Sequence, residues 1–291
     1  MYSLQFGIPK LRSALYLGRN SAAILPRCAL PARRLAALGA NAGLIHGLLG
    51  GPWTNLHTAR SAPPMLLLFD IDGTLTWGGP AKAAFGVALE ATFGTAGPIA
   101  NHDFSGKTDP LIMRELLTAA GHAPRQIEAG LPRFWDLYLS ELDARIAADP
   151  VTVLPGVREL IGALAARDDI FLGLVTGNVE GGARLKLRSA GLWDRFPVGA
   201  FGSDREVRNE LPTVAFQRAA ARWGRPFRGE HAVIIGDTPR DIECGKAVGA
   251  ATVAVATGRF RAAELRDAGA DRVLAGFADT RATVEALTGR P

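Results

Sequence analysis

The chain is poor in cysteine, has no long apolar run, and carries no acidic residue at all in its first 64 positions. Cys28 and Cys244 are the two cysteines of 291 residues. Two thiols so far apart exclude a disulfide-stapled scaffold and a cysteine-based zinc site. The five histidines, His46, His57, His102, His122 and His231, form no ligand pair. Apolar stretches are interrupted by Arg, Pro and Gly, so none reaches the ~20 residues a bilayer-spanning helix needs. The Trp and Met residues are scattered and suggest packing, not a cofactor box. No internal repeat is present.

The acid-free stretch contains seven basic residues: Lys10, Arg12, Arg19, Arg27, Arg33, Arg34 and Arg60. The whole chain has 33 basic and 28 acidic residues, and without those seven the balance is 26 to 28. The pI near 9.6 is therefore a property of this extension and no argument for a nucleic-acid-binding domain. Arg-rich, acid-free composition fits a transit or targeting segment. A simpler reading is an upstream extension of the reading frame, with Met65 as the natural start; a disordered tail is a third. About 225 residues remain after it, enough for one core domain and a small second unit. The expected location of that globular part is the cytoplasm.

What is present is concentrated at strand ends. Leu66–Leu67–Leu68–Phe69 is an apolar run too short for a helix and reads as a buried strand. It ends in Asp70–Ile71–Asp72–Gly73–Thr74. Residues two apart on a strand point the same way, so both carboxylates project from the C-terminal tip, where open α/β sheets bind ligands. Two close carboxylates repel and call for a cation or a shared proton. One acid can attack as a nucleophile while the other moves protons. A solvated Asp-Gly turn would read the same in isolation. A second run, Phe171–Val175, ends in Thr176–Gly177–Asn178, a hydroxyl and a glycine amide suited to a phosphate oxygen. A third, Ala232–Ile235, ends in Gly236–Asp237–Thr238–Pro239–Arg240–Asp241. Two acids four apart suit a hard cation such as Mg²⁺. The same residues also spell a helix start, with Thr238 or Asp237 as N-cap and Pro239 in the first turn.

These three motifs, in this order, resemble those of the haloacid dehalogenase-like hydrolases, and most closely the phosphoglycolate phosphatase group. The resemblance spans roughly residues 65 to 290. It implies a doubly wound, mainly parallel α/β sheet, Rossmann-like, with a small helical cap inserted after the first strand. It implies a Mg²⁺-dependent phosphatase acting on a small phosphorylated metabolite through an aspartyl-phosphate. Carried across, Asp70 matches the nucleophile and Asp72 the general acid/base, whose main-chain carbonyl would also meet the metal. Thr176 and the Gly177 amide match the phosphate-binding pair. Asp237 matches a metal ligand and Asp241 its partner.

At one place the pattern fails. The family's usual lysine before the last motif is missing from Asp204–Arg205–Glu206–Val207–Arg208–Asn209–Glu210–Leu211–Pro212. Arg208 is the expected substitute cation, with Arg205 in reserve; a guanidinium restores the charge, not the atom positions.

Between the first and second motifs the texture is helical: residues 80–93, 109–120, and a stripe of Leu131, Phe134, Tyr138, Leu142 and Ile146 at spacings of three and four. Residues 80–150 are read as the cap and 65–79 with 151–291 as the core. The hinge falls in Thr76–Pro80 and Asp149–Gly156. Phe104–Ser105–Gly106–Lys107–Thr108–Asp109 is the segment expected to reach the substrate, through Lys107. A mutase or a phosphonate hydrolase on the same fold remains open, as does an inactive phospho-ligand-binding protein. Retention of all four carboxylates speaks for catalysis.

Overall fold

A computed structural model of the chain describes residues 64–289. The expectations for the basic extension and for Cys28 lie outside the described residues. Six parallel strands form the main sheet: β1 (Met65–Phe69), β4 (Ile170–Val175), β5 (Val198–Ala200), β6 (Ala232–Gly236), β7 (Ala251–Val255) and β8 (Arg272–Leu274), in the order β5-β4-β1-β6-β7-β8. The core helices are α4 (Val157–Ala165), α5 (Glu180–Ser189), α6 (Leu211–Trp223), α7 (Pro239–Ala247), α8 (Ala262–Asp267) and α9 (Thr280–Thr288). This is the doubly wound, mainly parallel architecture that the resemblance implies, with β8 at one edge. The reading of the sequence did not name α4 and α5, although Val157, Leu160, Ile161 and Leu164 bury one stripe of α4.

Strand β1 explains its own composition. It is paired on both edges and covered on both faces, so every residue from Leu66 to Phe69 is fully buried. Leu67 and Phe69 face one hydrophobic layer with Leu160, Leu164 and Leu187; Leu66 and Leu68 face the other with Leu211, Ala215 and Ala219. The chain runs from β1 outward to β4 and β5, then returns to β6 on the far side of β1. The crevice at that reversal is where such sheets place ligands.

Three helices separate β1 from β4: α1 (Ala81–Phe93), α2 (Asp109–Ala119) and α3 (Pro124–Ile146). They bury an aromatic cluster of their own around Phe85, Phe134 and Tyr138. In it the Phe85 ring meets Phe134 edge-on at 4.9 Å and Tyr138 at 5.2 Å. Helix α3 begins about two turns before the periodic stripe suggested. Pro124 suits a first turn, and Gln126 accepts the Ala123 N–H at 2.8 Å. The two connections to the core are zipped together. Thr76 and Trp77 (β2) pair antiparallel with Val153 and Thr152 (β3).

Candidate active site

Register brings the three motifs together. Phe69 lies opposite Leu174 on β4 and opposite Ile235 on β6, so Asp70, Thr176 and Asp237 emerge at one level of the sheet. The chain then turns sharply, with the Gly73 N–H donating to the Thr76 carbonyl at 2.7 Å. Gly73 has φ +81° and packs directly on the Asp237 carboxylate, where a β-carbon would collide. Both facts require glycine there.

Asp70, Asp237 and Asp241 are buried and can each bring an oxygen within 4.8 Å of the others. Arg208, also buried, is the cation among them: Nη2 lies 3.1 Å from Asp70 Oδ1 and 2.5 Å from Asp241 Oδ1. Arg205 is exposed and pairs with Glu210 at 3.4 Å. Arg208 reaches the cluster from a 3-10 turn (Arg208–Glu210) that leads into α6. Asp241 is already engaged, because its Oδ2 accepts from Thr238 N and Oγ1 at 3.0 and 2.7 Å as the cap of α7. Asp237 accepts only a 3.3 Å bond from Thr74 Oγ1 among the described residues, and so is the freer ligand. Burial pushes Asp70 up to about 6; Asp241 and Asp72 add to the rise and Arg208 opposes it. Burial, with the charges of Asp241 and Asp70, pushes Asp237 up to about 8. With all three ionised, the buried carboxylates facing one guanidinium would leave two negative charges uncompensated, the excess that raises Asp70 and Asp237. An all-oxygen site with that deficit fits a divalent hard cation.

Asp72 stands outside this cluster. Its side chain is half exposed to the cavity and turns toward α5, where both its oxygens meet Lys186 Nζ at 2.7 and 2.8 Å. Asn178 Nδ2 adds a 2.8 Å bond. The sequence reading missed Lys186. The signal was there: it sits on the buried stripe of α5 with Gly182, Ala183 and Leu187, where an unpaired ammonium would be costly. Thr176 Oγ1 only accepts in its bonds from Asn178, at 2.9 Å from Nδ2 and 3.4 Å from N, so its proton is free for another acceptor.

The helical insertion meets the motifs directly. The Gly177 Cα packs on the Lys107 carbonyl and Thr108, leaving no room for a side chain. Asp109 donates its N–H to the Gly177 carbonyl and accepts from Val179 N, both at 2.8 Å. Burial pushes Asp109 up to about 6, against the charge of Lys186. Lys107 reaches a cavity of about 450 Å³ over Asp70, and there contacts Glu115 Oε2 at 2.5 Å, which His102 Nε2 also meets at 3.0 Å. Lys82 and Arg259 add positive charge to the lining; Trp77, Phe85 and Phe104 add apolar surface. Cys244 is packed and unreactive, its thiol pushed up to about 12 by burial.

A phosphoglycolate phosphatase of Rhodospirillum rubrum is 30% identical over 210 residues, which cover 68% of this chain and 82% of that protein. Among solved structures, a hydrolase from Pseudomonas syringae superposes with a TM-score of 0.60 at 22% identity, over 78% of this chain and all of the other. CbbY of Rhodobacter sphaeroides, solved with phosphate, gives 0.52 at 23% identity over 74% of this chain and 96% of its own. At these identities the two structures speak for the fold alone. The profile of the haloacid dehalogenase-like hydrolases matches residues 64–249. With its fold, its motifs at one sheet edge and its sequence relative in accord, the chain is an enzyme that belongs to the haloacid dehalogenase-like hydrolases, on their phosphoglycolate phosphatase-like side.

Proposed function

We propose that this hydrolase is a Mg²⁺-dependent phosphatase of small phosphate monoesters, phosphoglycolate-like or sugar phosphates, working through an aspartyl-phosphate on Asp70. The buried cluster of Asp70, Asp237 and Asp241 around Arg208 carries the reading. Its uncompensated charge is what a phosphate dianion could not approach without a metal. Asp70, the Asp72 main-chain carbonyl and Asp237 would hold Mg²⁺, with Asp241 beside them. Bound there, it supplies the positive charge that lets carboxylate and phosphate meet. The name of the Rhodospirillum rubrum relative supports the substrate class.

In this mechanism an Asp70 oxygen attacks phosphorus, and the ester oxygen leaves with a proton from Asp72. Water then attacks the phosphorus of the acyl phosphate, its proton passing to Asp72, and inorganic phosphate departs. The Thr176 hydroxyl and Gly177 N–H hold the phosphoryl oxygens, and Arg208 orients Asp70. Residues 80–150 act as a cap on the β2–β3 hinge, shutting out water and presenting Lys107 to the anionic end of the substrate. A panel of phosphate esters tests the whole. Inorganic phosphate should be released in Mg²⁺ and not after chelation, with p-nitrophenyl phosphate as the class probe. Formation of an isomeric phosphate without free phosphate would make the enzyme a mutase. Inertness toward every ester would end the proposal.

A further inference from the structure

Lys186 spends its whole donor capacity on two residues. Its three N–H groups meet Asp72 Oδ1 at 2.8 Å, Asp72 Oδ2 at 2.7 Å and Asn178 Oδ1 at 2.7 Å. Asn178 closes the ring by donating from Nδ2 to Asp72 Oδ2 at 2.8 Å and to Thr176 Oγ1 at 2.9 Å. The Lys186 side chain is 5% exposed while that of Asp72 is 47% exposed. The pair is therefore lopsided, with a buried cation gripping a carboxylate that faces the cavity.

Stability does not account for this arrangement. Burying an ammonium costs several kcal/mol in desolvation, and apolar replacement of a buried pair is often neutral or stabilising. Lys186 occupies the apolar stripe of α5, where a methionine of similar length would pack. Orientation does account for it. Asp72 lies on the turn after β1, where an isolated backbone bridge to Thr76 leaves its side chain unfixed. A proton-transfer group set even 1 Å off line can cost about 10²-fold in rate.

We infer that Lys186, with Asn178, is a positioning residue for the proton-transfer carboxylate Asp72. The clamp joins the acid/base to the phosphate-binding turn, since Asn178 touches both Asp72 and Thr176. One set of bonds thus sets the carboxylate relative to the phosphoryl group on which it acts. This inference rests on the phosphatase reading, and turnover by the wild-type chain that is lost in Asp70→Asn checks that reading separately.

The test uses the full chain, Lys186→Met and Asn178→Ala, each alone and combined with Asp72→Asn. Substrates are p-nitrophenyl phosphate, whose leaving group barely needs a proton, and a simple alkyl phosphate, whose leaving group does. With Lys186→Met, kcat on the alkyl ester should fall about tenfold or more, a part of the about 10²–10⁴-fold that general acid–base catalysis supplies, while KM changes little. With p-nitrophenyl phosphate a burst of p-nitrophenolate should appear, because transfer to Asp70 stays fast and water attack slows. In the Asp72→Asn background the lysine change should cost nothing further. If Lys186→Met does not fold, as judged by circular dichroism, Asn178→Ala is read for the same pattern. Equal losses on both esters without a burst, additive losses with Asp72→Asn, or a raised KM at unchanged kcat would each overturn the inference. The last would place Lys186 on the substrate.

Discussion

At the scale of single residues, the Asp70 carboxylate has one cationic partner among the described residues, Arg208, and shares it with Asp241. Asp70→Asn should abolish turnover, since a neutral amide does not attack phosphorus at a useful rate. Asp72→Asn should still pass the phosphoryl group from activated esters to Asp70 but stall afterwards. Acid-quenched protein should then carry phosphate, and none should be found on Asp70→Asn. Arg208→Ala leaves two buried carboxylates without their cation. It should cost about 3–5 kcal/mol in a urea titration and, separately, about 10²–10³-fold in kcat/KM through the lost charge. Arg208→Lys should recover part of the rate, and Arg205→Ala, on the surface, should change neither measurement by much.

At the scale of elements, the contact between the helical insertion and the second motif is the joint that matters. Thr108 Oγ1 accepts the Leu111 N–H at 3.3 Å as the N-cap of α2 and donates to the Glu206 carbonyl of the core at 2.7 Å. Thr108→Ala should lose about 1 kcal/mol from the cap alone, measured by thermal unfolding. It should also raise KM, because the loop bearing Lys107 is set by that helix start. Gly177→Ala should be worse for activity than for folding: its methyl group would push against the Lys107 carbonyl and shift the loop over the cavity. A Gly177→Ala enzyme with full kcat/KM would show that the loop does not meet the substrate.

At the scale of the whole molecule, the carboxylate cluster links stability to pH and metal. Asp70 and Asp237 are raised to about 6 and about 8, above the ordinary 3.8 they have in the unfolded chain. Their contribution to metal-free stability is fully present below about pH 4 and is lost as pH rises through 6 and 8. In EDTA, the melting temperature should therefore decline between pH 5 and 8. Mg²⁺ at ~100 times its dissociation constant should add about 2.7 kcal/mol, most visibly at the upper end of that range. A melting curve indifferent to Mg²⁺ at pH 8 would remove the metal from the cluster. Among the described residues, no helix is long and apolar enough to cross a membrane.

Much of this was legible along the chain because strand tips are local events. A short apolar run ending in Asp70–Ile71–Asp72–Gly73, or in Thr176–Gly177–Asn178, states both a buried strand and the polar groups at its end. The parallel sheet follows from the alternation of such runs with helical stripes. The sequence ranked Arg208 ahead of Arg205, but the reason it meets the carboxylates is tertiary. Three residues apart in one irregular loop, they differ in whether the 3-10 turn before α6 points them inward. The same holds for Lys186, which lies 114 residues from Asp72 and meets it only because β1 and β4 are neighbours. The two connections of the insertion looked like free linkers. Their pairing through β2 and β3 depends on strand partners 75 and 77 residues apart, a distance over which sequence pattern carries no information about register. Local composition determined what each strand end could offer; long-range packing decided which charges meet there, because a buried ion pair is selected by geometry and not by proximity in sequence.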